Sequence, residues 1–277
     1  MIVALIDNGS CAPAAHATLR TAAAALTDRV GVKVHPVSWK HSHRLPRDPN
    51  APPAWVLPDF VRAMVALGQR EFVFVPFFLS AEGAIGTALR RDLELLQSQL
   101  GWGAFEFTFS EGLAAQGAIA PIVADRIRAR IDQLPLRLPP AVIVVDHGGP
   151  SPESARLRDT EAARLRRALG PAIGPLVAAS LEGAEYPHNR PLFAEALRTP
   201  PFSQGDVIVA PLFLSPGRHA GPAGDLIQIA RDAERRSATT PLRCHFADLV
   251  GTHPLATTAL TAALRRTLAA LPSPVLT

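Results

Sequence analysis

The chain has 277 residues, 48% of them hydrophobic and 19% charged, with a formal net charge of +4; that is enough to bury a core in one or two domains and too apolar for a disordered chain. The arginines are scattered over several predicted helices and form no basic tract, which argues against nucleic acid as a partner. No apolar stretch approaches the roughly 20 residues of a bilayer span, and Cys11 and Cys244 supply neither a disulfide framework nor a CxxC metal pair, so a soluble protein in a reducing cytoplasm is expected.

The opening run IVALID is broken by Asp7 and Asn8 and has no basic flank, so it reads as a core strand and not as a signal peptide. Short β-branched runs then alternate with Ala/Leu/Arg-rich helical stretches, the pattern of βα units around a parallel sheet covered on both faces. In order the sequence predicts strand 2–7, helix 13–28, strand 32–38, a Pro-rich loop 44–54, helix 56–69, strand 71–77, helix 86–100, strand 104–110 and helix 114–133. A linker, LPLRLPP at 134–140, follows. The order then recurs as strand 141–146, helix 152–169, strand 175–180, helix 190–198, strand 206–212, helix 222–236, strand 241–247 and helix 253–270. The fold class is therefore α/β, with two similar lobes, 1–136 and 137–277, each a parallel sheet flanked by helices.

The duplication is visible residue by residue. VPFFLSAEGAIG at 75–86 aligns without a gap with APLFLSPGRHAG at 210–221, and IVALIDNGS at 2–10 corresponds to VIVVDHGGP at 142–150. One lobe thus serves as an internal control for the other. Where the second has His147 the first has Asn8, and where the second has His219 the first has Ala84. Both histidines are dispensable for folding the repeated module, which points to a chemical role.

Parallel sheets place ligand sites beyond the carboxyl ends of their strands, and both histidines fall there. A pair of imidazoles suits a divalent transition metal and leaves most coordination positions open, so such a site can release its metal. The segment ASLEGAEYPHNRP at 179–191 contributes Glu182, Glu185, His188 and Arg190 at the same rim, with Glu182 the third candidate and Lys40 at the aligned place in the first lobe. HGGPSPE at 147–153 is a glycine-flexed turn into a helix capped by Ser151, with Pro152 at its first position. No GxGxxG, GxxxxGK[ST] or GxSxG motif occurs, so no nucleotide cofactor and no hydrolase elbow are expected. HSH at 41–43, beside Arg44 and Arg47, reads as a polar loop and is not assigned; His16, His35, His245 and His253 read as ordinary helix, strand or helix-start positions.

VVDHGG at 144–149, SLEGAEY at 180–186 and PLFLSPGRHAG at 211–221 together resemble the CbiX/SirB-type class II chelatases, the sirohydrochlorin cobalto- and ferrochelatases, and LVGTHP at 249–254 is similar to that family's closing pattern. The resemblance spans both lobes and is most specific in PLFLSPGRH. It implies ATP-independent insertion of a divalent metal, Co2+ or Fe2+ with Ni2+ as a further option, into sirohydrochlorin or a related tetrapyrrole held between two lobes, in cobalamin or siroheme biosynthesis. By the same resemblance His147 and His219 are the metal-handling pair and Glu182 assists them; because such a substrate is a polycarboxylate, the rim cations Arg218 and Arg190, with Lys40 as a further option, are expected to bind its acid groups, and Ser215 is a further expected substrate contact. Gly149 stands where the family often has Ser, Asp225 comes two residues later than the family's Asp, and the first lobe lacks both histidines. A non-catalytic tetrapyrrole or metal carrier or sensor is the alternative. Fused lobes suit a monomer or a homodimer, with no membrane partner.

Overall fold

The structure is a computed structural model that describes residues 1–45, 54–80, 84–237 and 241–271; Arg47 and most of the Pro-rich loop lie outside the described residues. Two compact units are present, one formed by Met1–Gln116 with Pro254–Thr277 and the other by Gly117–His253.

The first unit holds strand β1 (Ile2–Asp7), helix α1 (Pro13–Val30), β2 (Val34–Ser38), β3 (Trp55–Val56), α2 (Leu57–Ala66), β4 (Glu71–Pro76), α3 (Ala84–Leu100) and β5 (Glu106–Phe109). Its sheet has the order β3-β2-β1-β4-β5, parallel throughout. The next helix, α4 (Ile119–Asp132), belongs to the second unit, together with β6 (Ala141–Asp146), α5 (Pro152–Leu169), β7 (Leu176–Ser180), α6 (Phe193–Ala196), β8 (Gly205–Pro211), α7 (Asp225–Arg236) and β9 (Leu242–Phe246). Its sheet runs β7-β6-β8-β9, again all parallel. The last helix, α8 (Pro254–Ala270), returns to the first unit.

The expected α/β class is thus observed, and β1, β6 and α5 have the boundaries the pattern predicts. Continuous apolar runs become central strands because helices cover both faces; every residue of β6 is buried. Three differences have local causes. The helix expected from 114 begins at Ile119, after Gly117 adopts a positive φ of 62°. The helix expected over 190–198 shrinks to α6 between Pro191 and the Pro200–Pro201 pair. The two-residue β3, opposite Val37 and Ser38, is too short to leave a periodic signal.

The division of the chain also differs from a cut at 136/137, because the two units exchange partners for their outer helices. α4 packs on α5 and β8, and the buried Glu161 of α5 accepts from the Ala120 N–H at 2.9 Å, satisfying a free donor in the first turn of α4. α8 instead packs on α1. Among the described residues, no helix is long and apolar enough to cross a membrane.

Candidate metal centre

His147 follows directly on β6, where the strand ends and the chain turns. Gly148 has φ +80°, and a Cβ there would lie 2.1 Å from the Glu182 carbonyl oxygen. Only glycine allows this approach. It lets the Leu181 N–H reach the Asp146 carbonyl at 2.9 Å and the Glu182 N–H reach the His147 carbonyl at 3.1 Å. The chain after β7 is thereby laced to the chain after β6, and Glu182 Oε1 stands 3.4 Å from His147 Nε2.

His219 arrives from the loop between β8 and α7. The Leu212 N–H donates to the Val145 carbonyl at 2.8 Å, which carries β8 past its last ladder position. The Asp225 and Leu226 N–H groups then bond back to the Arg218 and His219 carbonyls at 3.2 and 3.1 Å. Asp225, first residue of α7, places its carboxylate where the helix favours negative charge, and Oδ2 lies 2.7 Å from His219 Nδ1. The Nε2 atoms of His219 and His147 lie 3.3 Å apart.

Hydrogen-bond partners define the chemistry. His147 Nδ1 is 2.9 Å from the Gly148 carbonyl, and His219 Nδ1 faces a carboxylate; both partners only accept, so in the neutral rings each Nδ1 carries the proton and each Nε2 presents a lone pair. Two lone pairs and the Glu182 carboxylate then converge on one point, all three ligand atoms lying within 4.8 Å of one another. A set made only of acceptors is stabilised by a cation. The half-exposed side chains of His147 (50%) and Glu182 (56%) leave that point open to solvent on one side, and the Phe213 ring, 6.5 Å from the His147 ring, adds an apolar surface beside it.

The first unit repeats this scaffold with other residues at the positions of His147 and Glu182. The Trp39 and Lys40 N–H groups bond to the Asp7 and Asn8 carbonyls at 2.8 and 3.1 Å, and a Cβ on Gly9, at φ +83°, would meet the Lys40 carbonyl at 1.6 Å. Asn8 and Lys40 therefore stand in the backbone positions of His147 and Glu182. Lys40 Nζ lies 3.7 Å from the centre of the Trp39 ring. Ala84, aligned with His219, starts α3; its side chain is outside the described residues.

No protein-family model and no curated protein matches the sequence. Solved structures do. SirB from Bacillus subtilis with Fe3+ superposes with a TM-score of 0.66 at 15% identity, over 96% of each chain. Sirohydrochlorin chelatase SirB from Bacillus subtilis subspecies spizizenii, in complex with cobalt, gives 0.64 at 14% identity, over 96% of this chain and 95% of that one. CbiX, the terminal enzyme for biosynthesis of siroheme in denitrifying bacteria, gives 0.58 at 16% identity, over 98% of this chain and all of the other. This chain has the class II chelatase fold.

Within that chelatase fold, the three residues expected to handle metal, His147, His219 and Glu182, come together as one group. The expected substrate contacts are distributed differently. Arg218 is 84% exposed, with Nε 3.7 Å from Asp225 Oδ2. Arg190 is ion-paired with Glu195 and donates to the Ala184 carbonyl at 3.3 Å. Ser215 Oγ is buried with no hydrogen-bond partner among the described residues. Glu185 is exposed, and the His188 ring donates through Nε2 to the Gly149 carbonyl at 2.9 Å. His41 and His43 are exposed and lie outside the one such group that the described residues contain. His245 and His253 pair with Asp206 and Asp125 at 2.9 and 2.8 Å; Arg243 and His245 hold Asp206 down at about 2. Two contributors escaped the sequence reading: the tie from Asp225 to His219, and the buried polar group beneath His147, taken up below.

Proposed function

We propose that the second unit binds a divalent metal through His147, His219 and Glu182 and inserts it into sirohydrochlorin or a closely related tetrapyrrole. The observation that carries this reading is the convergence of two imidazole lone pairs and a carboxylate at the open carboxyl edge of a parallel sheet. Co2+ and Fe2+ are the proposed metals, with Ni2+ next, since imidazole and carboxylate accept all three. The SirB neighbours, solved with Fe3+ and with cobalt, support this choice.

Insertion exchanges two pyrrole N–H protons of the macrocycle for one dication. The site must hold the metal weakly and accept protons, and the same three side chains do both. Three protein ligands leave coordination positions for the incoming pyrrole nitrogens. As the metal departs, the freed Nε2 atoms and the Glu182 carboxylate are bases within reach of the protons released. No nucleotide motif is present and the exchange needs no energy input, so the reaction is proposed as ATP-independent. The substrate is a polycarboxylate; Arg218, with its exposed guanidinium, is the proposed acid-group contact, with Arg190 and Ser215 as secondary ones. The proposed setting is cobalamin or siroheme formation; the description of the CbiX neighbour as the terminal enzyme for siroheme biosynthesis supports the latter. Cys11 and Cys244 are both free thiols, as a reducing cytoplasm permits.

The test is to mix metal-free protein with sirohydrochlorin and Co2+ or Fe2+ and follow the macrocycle's absorption against a no-enzyme control. Accelerated metallation, lost in His147→Ala and in His219→Ala, is the expected result. Tight macrocycle binding without acceleration would replace the enzyme reading with a carrier or sensor.

A further inference from the structure

Beneath His147 and Glu182 lies a buried polar group that the metal chemistry does not use directly. Arg158, on the inward face of α5, is only 2% exposed. Its guanidinium donates to Ser180 Oγ and, at 3.0 Å, to the His188 carbonyl; Nη1 lies 3.7 Å from Asp146 Oδ1, and Nε bonds Asp159 Oδ1 at 2.9 Å. Ser180 Oγ in turn donates to Asp146 Oδ1 at 2.6 Å. Asp146 immediately precedes His147, Ser180 lies two residues before Glu182, and His188 belongs to the turn after Glu182. That turn is tied down again by Asn189, which bonds the carbonyls of Gly149 and Gly183 at 3.1 and 3.0 Å.

The first unit shows what the same module does without this cation. α1 and α5 are both 18 residues long and both begin with proline. The residue as far from Pro13 as Arg158 is from Pro152 is Leu19, fully buried. The strand-end pair is retained: Asp7 sits opposite Ser38 as Asp146 sits opposite Ser180. The module therefore folds with a buried Asp, a Ser and a Leu. A buried guanidinium is costly unless its bonds are satisfied, and it occurs in the copy whose strand ends carry the metal group.

Resting on the metal-binding reading above, we infer that Arg158 is a positioning residue for the metal group: it pins the chain after β6, the chain after β7 and the turn at His188 into one arrangement, so that His147 Nε2 and Glu182 Oε1 meet the metal in a fixed geometry. It touches neither metal nor macrocycle.

The test compares Arg158→Leu, which installs the residue of the first unit, with Arg158→Lys in the full chain. Co2+ affinity and the cobalt ligand-field absorption spectrum are measured beside thermal stability. Arg158→Leu is expected to weaken Co2+ binding by about tenfold or more and to alter the spectrum; Arg158→Lys, which keeps a buried cation for Ser180 and Asp146, is expected to recover part of both. Should Arg158→Leu fail to fold, Arg158→Leu with Asp146→Asn removes the stranded charge and is read the same way. A folded leucine variant with wild-type affinity and spectrum overturns the inference while leaving the metal-binding reading intact. Wild-type protein that binds no Co2+ overturns both.

Discussion

The rings of His147 and His219 meet edge to face, their planes at 90° and their Nε2 atoms 3.3 Å apart, while each Nδ1 is committed to an oxygen acceptor. With both outer nitrogens used as donors, neither ring can turn its protonated nitrogen inward without abandoning a bond. The tautomers that offer lone pairs to a metal are therefore selected before any metal arrives.

This gives Asp225 a measurable part. Asp225→Asn keeps an oxygen for the His219 Nδ1–H but removes the negative charge that makes the ring a stronger donor; Asp225→Ala removes both. Metal affinity should fall in the order wild type, Asn, Ala, by about tenfold at the first step, with thermal stability little changed. Titration of both variants with Co2+ checks the order, and equal affinities would show that the aspartate does not tune the histidine.

Glu182→Lys copies the first unit's residue into the second. Because Lys40 occupies the matching backbone position, with the same N–H bond to the preceding strand end, the variant should fold with near wild-type stability. It should also lose Co2+ binding by well over tenfold, since a cation then faces two histidines. Glu182→Gln, which keeps the oxygen and loses the charge, should fall between. Retained cobalt binding in the lysine variant would remove Glu182 from the ligand set.

A third expectation concerns stability and pH. Burial pushes Asp7 up from 3.8 to about 6, with the Ser38 hydroxyl and the Gly9 N–H pulling it back. Between those two values the folded chain keeps a proton that the unfolded chain has lost, so stability falls as pH rises through that window and the penalty is complete above it. The gap corresponds to about 3 kcal/mol. Asp7→Asn, whose amide oxygen still serves Ser38 and Gly9, should raise the melting temperature near neutral pH and flatten its slope across that window. A melting temperature that stays put in both respects would show that Asp7 carries no such penalty.

What the sequence made legible follows from how each feature is encoded. Strand ends were readable because buried parallel strands are continuous apolar runs that stop abruptly, as VIVVD does before His147. The candidate cluster was readable because duplication exposes a substitution, His147 against Asn8, that packing does not demand. Arg158 was hidden for the opposite reason. In a helix with many arginines its inward position shows only when α5 is laid on α1 and a leucine appears beneath it. The partner exchange of α4 and α8 was equally hidden: both helices follow a strand at the expected distance, and only the Glu161 bond to Ala120 and the packing of α8 on α1 decide where each belongs. Arg190 looked free in sequence because the helix expected over 190–198 starts only at Phe193, and the turn before it brings Arg190 against Glu195.

That exchange has a temporal side. The unit that carries His147, His219 and Glu182 is one unbroken stretch, Gly117–His253, inserted into a unit completed only afterwards by Pro254–Ala270. On a ribosome, the inserted unit has every strand and helix it needs before its host does. The host meanwhile waits with the α1 surface that α8 will cover still bare, so nascent chains stalled shortly after His253 should be the species most in need of a chaperone.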